Sequence, residues 1–456
     1  MTVQAKLDDM MAKSRAALKV LENYDQEQID ALCKAACLAF KNHAVEMSKE
    51  VIEETRLGNY EHKIIKNTGT PDGIWSAIKG KKSVGIIEDD PEHGIMYVGR
   101  PKGVVVVVAP TTNPNITALC NGVLSVKGRN TCIICSHPRA KKTTMNTVRI
   151  MSEAMEKLGA PKHIIQAVED PSVELTQKMM SLGDVIIATG GMAMVKAAYS
   201  SGKPAYGVGS GNSQALFDRD ADFKEAVGMV VLGRGFDNGQ VCACNQSAIV
   251  PKEKFDETVA LFKENGAYYI DDPAEIAKIR ETVFKNGVHN TEVVGQSAFR
   301  VAEMAGIKVP ENTSILVVKG DPAKVGADEL LCGEKMCPVL IAIPYGDFDE
   351  GLNIVKQNLL HSGAGHSSCI YSHTQANIDK MAEIMPVCRI LVNQPGVAAG
   401  NAFGNNAMIP TSTLGCGSYG NNSLDENLNY EHLINITKVV RVDPSYKPVS
   451  EEELYS

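Results

Sequence analysis

The chain opens with apolar residues at helical spacing and later changes to short apolar runs separated by helices. From about Leu7 to Arg56 the positions Leu18, Leu21, Ile29, Leu32, Ala36 and Phe40 recur with the period of a helix face. Two or three amphipathic helices packed against something larger are expected there. Leu57 to Ile78 continues as helix, and its charged residues Glu61, His62, Lys63 and Lys66 read as a solvated face. KSVGIIEDDPEHGIMYVGRP follows, two strand-like runs around an Asp-Asp-Pro-Glu-His-Gly turn, and this predicts a hairpin over 83–99. Its apolar residues need cover, and a second copy of the chain is the simplest cover.

From Lys102 the pattern becomes β-α-β. GVVVVVAP is apolar on both faces, as in a buried parallel strand, and it precedes a helix-like TTNPNITALCNGVLSVKGRN and the strand TCIICS. A helix from Thr144 to Leu158, a strand around His163 to Ala167, a helix from Val173 to Ser181 and the strand DVIIATGG continue the alternation. Such alternation predicts a parallel sheet with helices on both faces and a ligand crevice at the carboxyl ends of its strands. YGVGSGNSQALFDRDADF is glycine-rich and then becomes a strand and an acidic turn, a helix follows from Phe223 to Leu232, and a second α/β pattern begins at SAIVP. The end of the chain runs through a glycine- and asparagine-rich loop to the β-branched ITKVVRV, which suits an intersubunit sheet.

At 456 residues the chain exceeds what one core serves, so two domains with a minor third element are expected. The expected divisions are 1–235, 236–430 and 431–456. A net charge of -8 argues against a dedicated nucleic-acid surface. Neither a signal peptide nor a run long enough to span a bilayer is read, so a cytoplasmic protein is expected, with no membrane partner. The 12 cysteines are scattered. Cys33 with Cys37 and Cys132 with Cys135 read as core packing, and no metal site is expected.

Candidate chemistry gathers at loops. LGRGFDNGQVCACNQSAIV, from Leu232 to Val250, sets Cys242 just after turn residues and just before a strand, which presents the thiol. ATGGMAMV places Gly190 and Gly191 before a helix, leaving N–H groups to face a pyrophosphate, although the full GxGxxG spacing is missing. In SHPRAKK, the residues Arg139, Lys141 and Lys142 could hold a ribose or its 2′-phosphate, or form a solvated turn. APTTNPN puts the Asn113 amide in a proline-flanked loop, either as an oxyanion donor or as turn chemistry.

FDNGQVCACNQS, ATGGMAMVKAAYSSGKPAYGVGSGN, GHSSCIY, TLGCGSYGNNSLDEN and APTTNPN together resemble the CoA-acylating branch of the aldehyde dehydrogenases, and the resemblance covers nearly the whole chain. GRGFDNG, CGEKMCPVL and VNQPGVAAGN are similar to the CoA-dependent succinate-semialdehyde dehydrogenases. The fold implied is aldehyde dehydrogenase-like α/β: a Rossmann-type cofactor domain, an α/β catalytic domain and a small β oligomerisation element. The activity implied is reversible oxidation of an aldehyde to an acyl-CoA through a cysteine thioester, with NAD or NADP as cofactor and coenzyme A as co-substrate.

The resemblance assigns the nucleophile to Cys242, the oxyanion hole to Asn113 with the Cys242 N–H, and assistance of the coenzyme A thiol to His366, whose bland alternative is a core histidine. It assigns the cofactor to Thr111, Thr112, His137, Pro138, Arg139, Gly190, Gly191, Val195 and Gly209, with Glu334 on the nicotinamide ribose. Arg234 would receive a substrate carboxylate or sit at the surface at a helix end. Hydrolytic relatives carry a water-activating glutamate in the segment matching GVGSGNSQ, where this chain has none. Succinate semialdehyde is the expected substrate, with sulfoacetaldehyde or a short uncharged aldehyde as alternatives, because ITALCNG and Tyr419 depart from the family text. A non-acylating dehydrogenase and a non-catalytic scaffold are the competing readings. A homodimer or dimer-based oligomer is expected.

Overall fold

In the computed structural model, residues 2–401, 406–443 and 445–456 are described. The four helices Val3–Leu21, Gln26–Asn42, Ala44–Thr55 and Tyr60–Ile78 form where the apolar spacing places them. Asp25 starts the second with a capping box, accepting from the Gln28 N–H while the Gln28 side chain accepts from the Asp25 N–H. Their buried faces, among them Leu21, Ile29, Phe40, Met47 and Ile74, share one core with Val105, Val107, Cys132 and Ile134 of the first sheet.

That sheet has five parallel strands in the order Ile165–Ala167, Thr131–Cys135, Val104–Val108, Val185–Thr189 and Ala205–Val208. All five residues of Val104–Val108 are buried, as a strand with helices on both faces requires. The winding reverses between Val104–Val108 and Val185–Thr189. Such a reversal is where an open sheet of this kind takes its ligands, outside the carboxyl ends of the two strands.

The second sheet has seven parallel strands in the order Tyr268–Ile270, Leu316–Lys319, Val339–Tyr345, Asn245–Pro251, Ser213–Phe217, Ser368–Tyr371 and Ile390–Val392. Ser213–Phe217 belongs to this sheet, and the helix Phe223–Gly235 packs on it through Phe223, Val227 and Val230. The sheets therefore change over between Val208 and Ser213, ahead of the expected division at 235. Leu424, Leu428 and Leu433 return to the first core, so the end of the expected second segment also belongs with the first sheet.

Gly85–Asp90 and Ile95–Pro101 form the expected hairpin, and Ile434–Val440 joins it antiparallel to Ile95–Pro101. The strand that pairs with the hairpin thus comes from the same chain. Ile436, Val439 and Val440 stay exposed on it. Among the described residues no helix is long and apolar enough to cross a membrane.

Candidate active site

The loop that carries Cys242 is built by an unusual turn. Asp237 and Asn238 both take left-handed backbone, φ 51° and 54°, between the helix Phe223–Gly235 and the strand Asn245–Pro251. Asn238 donates its amide to the Gly58 and Gly295 carbonyls, at 3.0 and 2.9 Å. Short polar side chains tolerate this conformation because they bond locally. The turn leaves Cys242 partly exposed at the strand entrance.

One element of the second sheet closes on that sulfur. His366, just before the strand Ser368–Tyr371, is fully buried, and its Nε2 lies 3.2 Å from Cys242 Sγ. Its Nδ1 lies 2.9 Å from Ser367 Oγ. If Nδ1–H donates to that hydroxyl, Nε2 presents its lone pair to the thiol. Burial brings the imidazole down to about 3, with nearby Arg389 adding to the shift. Burial pushes the Cys242 thiol up to about 12, with the Glu334 carboxylate adding to it. The resting pair is therefore a neutral thiol beside a neutral imidazole.

Gly211 faces them from the segment linking the sheets. A Cβ there would stand 2.1 Å from the Cys242 carbonyl oxygen and 3.2 Å from His366 Cδ2. Its N–H donates to Glu334 Oε1 at 3.1 Å. Burial raises the Glu334 carboxyl to about 7. Glu334 thus stands where the two sheets meet.

Seven of the ten expected cofactor residues fall at the carboxyl ends of three adjacent strands. Thr111 and Thr112 follow Val104–Val108, His137, Pro138 and Arg139 follow Thr131–Cys135, and Gly190 and Gly191 follow Val185–Thr189. Gly191 precedes the helix Met192–Tyr199, is exposed, and has open space where a Cβ would be. Val195 is buried on that helix, and Gly209 lies against Met192. The buried hydroxyls of Ser136 and Thr189 have no hydrogen-bond partner among the described residues, and both sit at this edge. An open glycine, a helix N-terminus and unpaired hydroxyls fit a dinucleotide. Two of the three basic side chains are otherwise engaged: Arg139 donates to the Thr55 carbonyl at 3.1 Å, and Lys141 pairs with Asp170 at 3.0 Å.

Two sequence expectations are corrected. Arg234 neither lies at the surface nor holds its guanidinium open to substrate; it is fully buried and donates to the carbonyls of Asn245, at 3.0 Å, and Gly239. It braces both sides of the Cys242 loop. Lys63 and Lys66 are not solvated, for both are buried and pair with the buried Asp237 carboxylate, Lys63 at 2.9 Å. Burial alone would raise Asp237, yet the two ammoniums hold its carboxyl well below the usual range. Burial brings Lys63 down to about 7. His62 completes the grip, accepting the Asp237 N–H at 2.8 Å and stacking on Phe236 with ring centroids 4.8 Å apart.

Asn113 is the first residue before the helix Pro114–Lys127, yet its side chain makes no cap bond. Its oxygen accepts from Lys66. Among the described residues nothing accepts its amide N–H2 or the Cys242 N–H. The Cys33, Cys37, Cys132 and Cys135 side chains are buried in the core, and Cys244 is buried with its thiol toward the Phe236 carbonyl. No group of three or more His, Cys, Asp or Glu among the described residues is arranged to hold a metal ion. Arg389 went unnoticed in the sequence, where it is one basic residue before a short strand. It lies close enough to shift both Cys242 and His366.

Comparison with known proteins gives this arrangement relatives. Residues 2–276 match the profile of the aldehyde dehydrogenase family. The chain is 46% identical over 455 residues to succinate-semialdehyde dehydrogenase (acetylating) of Clostridium kluyveri, covering 100% of both chains. It is 39% identical to the aldehyde-alcohol dehydrogenase of Clostridium acetobutylicum, over 96% of this chain and 51% of that longer protein. The crystal structure of an acetylating aldehyde dehydrogenase from Geobacillus thermoglucosidasius superposes with a TM-score of 0.93 at 33% identity, covering 98% of each chain. Propionaldehyde dehydrogenase of Rhodopseudomonas palustris, solved with bound CoA and an acylated cysteine, superposes with a TM-score of 0.87 at 26% identity, over 96% of this chain and 97% of that one. With its full length matched in sequence and in fold, the chain belongs to the aldehyde dehydrogenase family, on the CoA-acylating branch.

Proposed function

We propose that the protein interconverts succinate semialdehyde and succinyl-CoA, using NAD or NADP and coenzyme A, through a thioester on Cys242. The observation that carries this reading is the 3.2 Å approach of His366 Nε2 to Cys242 Sγ at the junction of the two sheets.

In the oxidative direction Cys242 Sγ attacks the aldehyde carbon while His366 Nε2 accepts the thiol proton. Burial opposes charge on both groups before substrate arrives, so the proton moves as the carbon–sulfur bond forms. The carbonyl oxygen, gaining charge, lies toward the free N–H2 of Asn113 and the Cys242 N–H. A bound nicotinamide supplies the hydride acceptor, and Thr111, Thr112, the Gly190–Gly191 turn and Glu334 are the residues that would hold it.

Loss of hydride leaves an acyl group on sulfur. The segment Gly207–Gln214 carries no carboxylate to recruit water, so the acyl group passes to the coenzyme A thiol. His366 accepts that proton in turn, once it has released the first. Acyl-CoA leaves and the Cys242 thiol is restored. The full-length similarity to the Clostridium kluyveri enzyme supports succinate semialdehyde as the substrate. A cytoplasmic setting suits twelve unpaired cysteines. The exposed Ile436, Val439 and Val440 suit a homodimer or dimer-based oligomer.

Incubation with succinyl-CoA, without nicotinamide, followed by peptide mass spectrometry should find the succinyl mass on residue 242. Oxidation of succinate semialdehyde should require coenzyme A. Equal rates of nicotinamide reduction without coenzyme A would reject the acylating reading. A higher kcat/KM with acetyl-CoA or with sulfoacetaldehyde would replace the substrate.

A further inference from the structure

Asn113 occupies a position where asparagine usually accepts an N–H from its own helix, and here it does not. Its amide oxygen is instead taken by the Lys66 ammonium. An amide can turn over and exchange its oxygen for its N–H2 at little cost unless its neighbours choose. An ammonium has donors only, so beside it the oxygen must face inward. The N–H2, which no described residue accepts, is then left without a partner.

Lys66 is itself fixed. It bonds to Asp237, whose carboxylate also accepts from Lys63 and, at 3.0 Å, from the Asn59 N–H. Lys63 donates in addition to the Thr112 carbonyl at 3.0 Å, in the same loop as Asn113. The two lysines lie three residues apart on one face of the helix Tyr60–Ile78. Between them they join the Thr112–Asn113 loop of the first sheet to the turn that carries Cys242.

We propose that Lys66 is a positioning residue for the reaction: it holds the Asn113 carbonyl oxygen so that only the amide N–H2 can meet the oxyanion formed on the Cys242-bound acyl carbon. Its ammonium also polarises the amide, which strengthens those N–H groups as donors. Asp237 anchors Lys66, with Lys63 retained as its second cation. The inference rests on the reading of Asn113 as an oxyanion donor.

The test is a double-mutant cycle on the full enzyme, following nicotinamide oxidation with succinyl-CoA. Asn113→Ala should lower kcat by about 100-fold or more, the loss that follows removal of one oxyanion donor. Lys66→Met should lower kcat by at least about tenfold with KM nearly unchanged, and Lys66→Arg should restore most of it. In the Asn113→Ala background, Lys66→Met should cost less than about twofold further, because the amide it orients is gone. Lys66→Leu, which likewise has no donor for the Asn113 oxygen, provides the same comparison should the methionine variant fold poorly.

A full tenfold loss persisting in the Asn113→Ala background would overturn the proposal, since Lys66 would then act by another route. So would wild-type kcat in Lys66→Met beside a slow Asn113→Ala; that result leaves the oxyanion reading intact. Wild-type kcat in Asn113→Ala would remove both.

Discussion

Substitution of Gly211 by alanine tests whether the pocket is as tight as its geometry demands. Gly211 is not in the left-handed region, so glycine serves there for space rather than for conformation. The added Cβ would lie 2.1 Å from the Cys242 carbonyl oxygen, far inside the roughly 3.5 Å at which a carbon meets its neighbours. One of the two main-chain segments must retreat by about 1 Å, and the His366 ring, 3.2 Å from the same Cβ, limits where it can go. A displacement of about 1 Å at a reacting group costs on the order of 100-fold in rate. Overpacking of this kind costs roughly 1–3 kcal/mol of stability, so most molecules should still fold.

The assay is kcat for succinyl-CoA reduction, with thermal unfolding to establish that the variant is folded and titration with iodoacetamide to count reactive thiols. A folded Gly211→Ala protein should turn over about 100 times more slowly, with alkylation of Cys242 altered. Turnover within about threefold of wild type in a folded variant would mean that the Gly211–Cys242–His366 contact does not govern the chemistry.

Three further outcomes follow from the site. Replacing His366 by alanine should slow turnover by about 100-fold to 10,000-fold and slow alkylation of Cys242, measured by mass spectrometry of the labelled peptide; unchanged alkylation would separate the imidazole from the thiol. Glu334 is raised from its ordinary 4.5 to about 7, so between those pH values the unfolded chain loses a proton that the folded protein keeps, and stability is lost as pH rises. Glu334→Gln escapes that loss, and its Tm relative to wild type should be higher at pH 8 than at pH 4.5, whereas a constant difference would refute the assignment. Arg234→Ala leaves two buried carbonyls unpaired at about 1–3 kcal/mol each; Tm should fall and succinyl-CoA and acetyl-CoA should suffer alike, and a KM increase confined to succinyl-CoA would return Arg234 to the substrate.

Much of the architecture was legible because the pattern is unambiguous. Val104–Val108 and Thr131–Cys135 are apolar at every or nearly every position, and helices separate them. Ala205–Val208 was read only as glycine-rich text, since four residues including a glycine carry too little periodicity to mark a strand. The change of sheet at Ser213 was hidden for a related reason: pairing partners lie far along the chain. Cys242 and His366 announced themselves through motifs that resemble a family. Lys63 and Lys66 did not, because a charged run on a helix reads as solvated unless the distant carboxylate is known, and Asp237 lies 171 positions beyond Lys66. Their three-residue spacing was the available signal. Arg234 shows the converse: an arginine near a nucleophile suggested ligand chemistry, while its donors serve main-chain carbonyls.

The helix Tyr60–Ile78 also bears on how the protein is made. A chain emerging from the ribosome produces that helix early, Cys242 much later, and His366 another 124 residues after that. Until those distant pieces dock, residue 242 is an ordinary solvated thiol with no imidazole and no fixed amide beside it. The pairing of that sulfur with an imidazole therefore exists only once the tertiary structure is complete.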